Sequence, residues 1–213
     1  MIDPDTLHVW HETRLVGYLW RDALGKMSFR YDSDWLAHEG FPISMSLPLL
    51  ESTFETGKAH HFFANLLPEG NARAHIVRDL KVSDSDFDLL REIGGECAGA
   101  LSVLPDDQAP AINSEYQPLS EAELFRIVQR RGHLLRNSDQ TTRPRLSLAG
   151  AQDKVPVAKF GDRLHIPSGS SPSTHILKFE IPGYRHVPAY ETYLTWIAQS
   201  VGMDAIEISF HHI

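Results

Sequence analysis

Ser147-Leu148-Ala149-Gly150-Ala151-Gln152-Asp153-Lys154, followed further along by Thr174-His175-Ile176-Leu177-Lys178-Phe179, is the stretch whose reading decides the fold. The first segment is built of small residues, which let backbone amides approach an anion closely. The second is an apolar strand that carries one cation. On a strand Lys178 shares a face with Ile176 and Glu180, while Leu177, Phe179 and Ile181 point the other way. One face is then available for a core and the other for a cleft that holds an anion.

Between the two segments, Val155–Phe160 and Leu164–Ile166 read as a hairpin around Gly161-Asp162. Loop, strand, turn, strand, then a strand-borne lysine is the order in which the small lobe of a protein kinase assembles its phosphate clamp. A helix is predicted over Ala189–Ser200 and ended by Gly202. It carries Glu191, which can meet the Lys178 ammonium and aim it at nucleotide phosphates; the competing reading is a solvated helix glutamate. The loop by itself is a weak signal. It holds one glycine, matches neither the Walker pattern nor the kinase glycine triplet, and taken alone reads as a tight β turn.

Toward the N-terminus the chain is β-rich. Leu7–Trp20 and Gly25–Tyr31 read as strands joined through Arg21-Asp22-Ala23-Leu24-Gly25, with Met27, Phe29 and Tyr31 on one face of the second. Ile43, Met45 and Leu47 alternate with serines between Pro42 and Pro48, as in a short half-buried strand. The period then changes: a helical turn fits His60–Gly70, Asn71 is a candidate cap for a helix through Leu80, and Ser83 or Asp84 for one through Ile93, stopped by Gly94-Gly95. Ala98–Leu104 returns as a strand. Pro105–Pro118 is polar and Pro-rich, which suits a connection, so the expected division is an accessory unit over 1–106 and a small lobe over 107–213. Ser120-Glu121-Ala122-Glu123 has capping-box form before Leu124, Ile127 and Val128, and Ile206, Ile208 and Phe210 alternate as a final strand. The fold class is α+β.

The composition is that of an ordinary globular chain: 213 residues, 42% hydrophobic, net charge −8. The acidic balance argues against broad non-specific nucleic-acid binding. Cys97 is the single cysteine, no charged-then-apolar leader opens the sequence, and every apolar run is too short to span a bilayer, so a cytoplasmic setting without a membrane is expected. His60-His61 and His211-His212 invite a metal, but adjacent histidines on a strand face opposite sides and no further ligand cluster completes a shell, so no metal site is assigned. Arg130, Arg131, Arg136, Arg143 and Arg145 form a basic run, read as a solvated linker; Arg143 and Arg145 stand near enough in sequence to Ser147 to grip a phosphate placed there.

Phe62-Phe63-Ala64-Asn65-Leu66-Leu67-Pro68-Glu69, Ile93-Gly94-Gly95-Glu96-Cys97-Ala98-Gly99-Ala100-Leu101 and Ser147–Lys154, in this order, resemble the HipA family of toxin serine/threonine kinases over essentially the whole chain. The resemblance implies a β-rich N-terminal accessory subdomain followed by a kinase-like small lobe, with ATP and magnesium as ligands. It implies autophosphorylation at Ser147, which ejects the loop and ends nucleotide binding; ATP contacts from Leu148, Ala149, Gly150, Ala151, Gln152, Asp153, Lys154 and Lys178; and positioning of that lysine by Glu191, where the match is looser. It implies a helix-turn-helix antitoxin of the HipB type, operator DNA contacted mainly through that antitoxin, and a protein substrate that in several members is an aminoacyl-tRNA synthetase. Family kinases are longer. Their catalytic aspartate and magnesium-holding residues lie in a C-terminal lobe, expected beyond Ile213, so this chain alone is expected to be inactive. The alternative is a non-catalytic protein that inhibits or modulates a separate HipA-like kinase.

Overall fold

The computed structural model describes residues 5–55, 57–96, 100–110, 114–129, 152–169, 171–181 and 183–211. Its strands form two four-stranded antiparallel sheets, the first ordered β3-β2-β1-β4 and the second β5-β7-β6-β8.

The first sheet comprises β1 (Thr6–His11), β2 (Arg14–Arg21), β3 (Met27–Tyr31) and β4 (Leu101–Pro105). The continuous strand expected over Leu7–Trp20 is instead a hairpin. Glu12 takes a positive φ of 52° and reverses the chain, so that Val9 faces Gly17 and Leu7 faces Leu19. Gly17 is needed there because a Cβ would lie 2.3 Å from the Arg30 carbonyl oxygen. Alternation then sorts the side chains: Leu7, Val9, Leu19, Met27, Phe29 and Val103 are all fully buried on one face.

That face is covered by α1 (Ser33–Ala37), α2 (Lys58–Ala64) and α4 (Asp86–Ile93), through Trp35, Phe63 and the stripe Phe87, Leu90 and Ile93. Phe29 is the hub of the packing, with ring centroids 4.9 Å from Tyr31, 5.4 Å from Phe63 and 6.5 Å from Phe54. Every buried member of this core lies between Leu7 and Val103. The helix α3 (Gly70–Leu80) begins after Glu69, so Asn71 sits inside it rather than capping it. Ser85, not Ser83 or Asp84, caps α4 by accepting from the Asp88 amide; the flanking Asp84 and Asp86 carboxylates are instead engaged by Arg73.

The short strand expected over Ile43–Leu47 does not form. Only an isolated Ser44–Leu47 bridge is present and Met45 is fully exposed, because the Tyr31 hydroxyl organises the segment as a turn. It accepts from the Ile43 amide at 3.0 Å and donates to the Leu47 carbonyl at 2.5 Å. Asp5 closes the outer side of the unit, accepting from Arg21 and Arg91, while Arg21 also reaches Asp88. The bonds from Arg91 and then Arg21 hold the Asp5 carboxyl below its ordinary value. A carboxylate with a depressed folded pKa stabilises above its unfolded value and loses that contribution as pH falls through the folded one. Asp5→Asn is therefore expected to flatten the acid limb of a stability–pH profile measured by urea unfolding; an unaltered limb would contradict this role.

The second sheet comprises β5 (Ser114–Pro118), β6 (Lys154–Phe160), β7 (Arg163–Gly169) and β8 (His175–Lys178). The hairpin around Gly161 forms, with Gly161 at φ 59°. The polar connection expected over Pro105–Pro118 ends in a strand, β5, which pairs with β7 and sets the Tyr116 ring edge-on against Phe160 at 4.9 Å. Helix α5 (Glu121–Gln129) packs Ile127 on Val155, Val157 and Phe179. Its capping box is complete: the Ser120 amide donates to the Glu123 carboxylate at 2.8 Å and the Glu123 amide to the Ser120 hydroxyl at 3.3 Å. Ser120→Ala is expected to lower stability by about 1 kcal/mol in a urea titration. Helix α6 (Val187–Ser200) follows β8. The final strand expected over Ile206–Phe210 is not formed, and the segment joins no ladder among the described residues.

Candidate anion-clamp site

The candidate site lies on the face of the second sheet turned away from α5. In the β6–β8 ladder Lys154 stands directly opposite Lys178, and Pro156 opposite Ile176. Directly opposed residues of an antiparallel pair project from the same face with Cβ atoms about 5 Å apart. Val155, Val157 and Leu177 take the opposite face and enter the small core with Ile127, which fixes the register and thereby the direction of both lysines.

Glu191 projects from the second turn of α6, and its carboxylate Oε1 accepts from the Lys178 ammonium. Each side chain of this pair is about one-third exposed (33% and 32%), so the pair is neither fully screened nor sealed. Burial, and then repulsion from Lys178, pulls the Lys154 ammonium below its ordinary pKa, opposed by Glu191. Two ammonium groups therefore stand close together on this face, with the Glu191 carboxylate bound to one of them. A ligand carrying several negative charges lowers the repulsion between them, whereas a cation adds to it.

The base of the loop is tied to the lysine strand. The Gln152 side-chain amide donates to the Phe179 carbonyl at 2.9 Å, and the Phe179 amide donates to the Asp153 carbonyl at 3.3 Å. Of the sequence-predicted site residues, Lys154, Lys178 and Glu191 are thus brought together, and Gln152 and Asp153 brace the strand that bears Lys178. Ser147, Leu148, Ala149, Gly150 and Ala151 lie outside the described residues, as do Arg130, Arg131, Arg136, Arg143 and Arg145. The facing of Lys154 and Lys178 has no signature in local sequence, because it depends on how two strands separated by β7 are paired. The bracing role of Gln152 has none either.

The first histidine pair takes another role, and His212 of the second lies outside the described residues. His60 and His61 lie on helix α2 rather than on a strand, and His60 accepts from the Met27 amide through Nδ1 while Nε2 faces Asp86 at 3.3 Å. Among the described residues no group of three or more His, Cys, Asp or Glu could hold a metal ion. None of the described helices is long and apolar enough to cross a membrane.

Residues 7–104, the whole of the first sheet and its helices apart from the edges, match the HipA N-terminal domain family. Over 217 aligned residues, covering 95% of this chain, it is 35% identical to "Putative kinase Y4mE" of Sinorhizobium fredii. Over 208 residues it is 29% identical to the serine/threonine-protein kinase toxin HipA of Shewanella oneidensis. The chain belongs to the HipA family. The structure agrees: a solved complex of the Shewanella oneidensis toxin–antitoxin system, containing HipA, HipB and operator DNA, superposes on 97% of this chain with a TM-score of 0.71 and 27% identity. This HipA-family chain spans about half the length of the relatives it matches, 50% of the Sinorhizobium protein and 45% of the Shewanella toxin. A shorter relative also exists, an uncharacterised Haemophilus influenzae protein 30% identical over 94 residues, 85% of its length.

Proposed function

We propose that this chain supplies the nucleotide-gripping half of a HipA-type serine/threonine kinase, the toxin of a toxin–antitoxin pair. Residues 1–106 act as the accessory subdomain and 107–213 as the small lobe. The observation that carries this reading is the charge arrangement on the open face of β6 and β8, where Lys154 and Lys178 face each other and Glu191 holds the second. ATP fits it. Lys178 and Lys154 would take the phosphates, Leu148, Ala149, Gly150 and Ala151 are the further ATP contacts that the family implies, and the exposed Ile176 beside Pro156 offers an apolar surface on the same face. ATP, once bound, supplies the phosphoryl group.

Within this reading Lys178 neutralises phosphate charge, and Glu191 prevents the long lysine side chain from sampling other rotamers. Gln152 and Asp153 keep the loop base and β8 in step. In this reading residues of a C-terminal lobe would hold magnesium and supply the general base. Ser147 is the autophosphorylation site, and its modification withdraws the loop. A HipB-type antitoxin, operator DNA reached through it, and an aminoacyl-tRNA synthetase substrate follow from the family alone. The test is phosphopeptide mapping of the protein from its source cell together with its intact mass. Phosphate on Ser147 in a product longer than this chain supports the reading; an unmodified product ending at Ile213 counts against it.

The second reading, a non-catalytic protein that modulates a separate HipA-like kinase, is favoured by one observation. The short Haemophilus relative matches over most of its length, so part of this chain resembles a protein without room for a kinase lobe.

A further inference from the structure

Thr174 stands one residue before β8, and its amide and its hydroxyl are both fixed to β6. The amide donates to the Val157 carbonyl at 3.0 Å, and the hydroxyl oxygen accepts from the Lys159 amide at 2.9 Å. A backbone N–H only donates, so the direction of that second bond is settled. The same hydroxyl lies 2.8 Å from Nδ1 of His175. With His175 in its Nε2–H tautomer Nδ1 accepts, and the threonine proton points at it. The oxygen is thus held by an amide on one side and faces a proton acceptor on the other, the arrangement that turns a weak oxygen nucleophile into an effective one. Thr174 and His175 are both exposed, so an incoming group can reach the hydroxyl. Four residues, about 13 Å of extended chain, separate Thr174 from Lys178, which makes this a second site and not a part of the clamp.

We propose that Thr174 is a phosphorylation site, with His175 as the base that activates its hydroxyl. The donor is ATP held by a kinase, the activity for which the longer relatives are named. The Thr174 oxygen attacks the terminal phosphorus, the Oγ1–P bond forms as the bond to the bridging β,γ oxygen breaks, ADP leaves with that electron pair, and the hydroxyl proton passes to His175 Nδ1. A phosphoryl group suits this acceptor better than an acyl group. The step leaves an imidazolium beside a phosphate dianion, a charge-assisted pair that an acyl ester does not make. The site is independent of nucleotide binding by Lys154 and Lys178.

The test uses the protein isolated from its source cell, with variants expressed in the same cell. The tryptic peptide Leu164–Lys178 carries Thr174 together with Ser173, which is also exposed and serves as the control. Phosphate is expected on Thr174 and not on Ser173. After phosphatase treatment, a fluorophosphonate probe reads the acceptor without any kinase: the Oγ1–P bond forms, fluoride leaves, and the proton passes to His175. Thr174 is expected to label at least about tenfold faster than Ser173, below the roughly 100-fold that a general base gives in an enclosed site. His175→Asn keeps an acceptor oxygen beside the hydroxyl but removes the basic nitrogen, and it is expected to bring Thr174 down to the level of Ser173, as is His175→Ala. His175 is exposed, so neither change disturbs a core. Thr174→Ser is expected to retain the label. Equal labelling of Thr174 and Ser173, or labelling indifferent to His175→Asn, overturns the role of the histidine, and an isolated protein without phosphate on Thr174 overturns the site. Phosphate on Ser147 alone would leave the kinase reading standing and remove this one.

Discussion

Replacing Lys178 by Met is expected to weaken ATP binding by about 10- to 100-fold. A charge-assisted bond to a phosphate contributes about 1.5–3 kcal/mol, and each 1.4 kcal/mol is a factor of ten. The loss is compounded because Glu191, whose carboxylate is paired with Lys178, would be left facing the phosphates with its charge uncompensated. Glu191→Gln keeps the shape and removes that charge, so its effect is expected to be smaller, about three- to tenfold, through poorer positioning of the ammonium. Calorimetric titration of each variant beside the unaltered chain checks the order. Equal affinities for the unaltered chain and the Lys178 variant would remove that lysine from the site.

Phe29→Ala is the substitution expected to cost most stability, about 3–5 kcal/mol, since it empties a fully buried position enclosed by Tyr31, Phe54 and Phe63. The effect is expected to stay within one unit. Three of the four tryptophans, Trp10, Trp20 and Trp35, report on the first sheet and its helices, and Trp196 reports on α6. With Trp196→Phe as the background, fluorescence during urea unfolding follows the first unit alone. Phe29→Ala then lowers its midpoint, and a fragment ending at Asp106 reproduces the midpoint of the unaltered unit. A fragment that fails to fold would show that the first core needs the remainder of the chain.

The parts of this fold that declare themselves in the sequence are those whose cause is local. Period-2 alternation at Met27, Phe29 and Tyr31, the Ser120–Glu123 capping box, and the glycine turn at Gly161 each act within a few residues, and each is found where the pattern places it. The failures have non-local causes. Ile43–Leu47 alternates like a strand but is held as a turn by the distant Tyr31 hydroxyl. Leu7–Trp20 is apolar enough for one strand and is broken by a left-handed Glu12, a residue with no propensity that announces it. Ile206–Phe210 has the period of a strand but joins no ladder among the described residues. In the candidate site, the motif points to both lysines and to Glu191, but their convergence depends on the β6–β8 register and the return of α6.

Whether Lys178 and Lys154 face a bound nucleotide is read directly by quantitative acetylation of lysines with and without ATP. ATP, but not adenosine at the same concentration, is predicted to protect Lys178 and Lys154 while Lys26, Lys58 and Lys81 on the first unit react as before. Reaction at Lys178 and Lys154 that is indifferent to ATP would contradict the assignment of this face as a phosphate clamp.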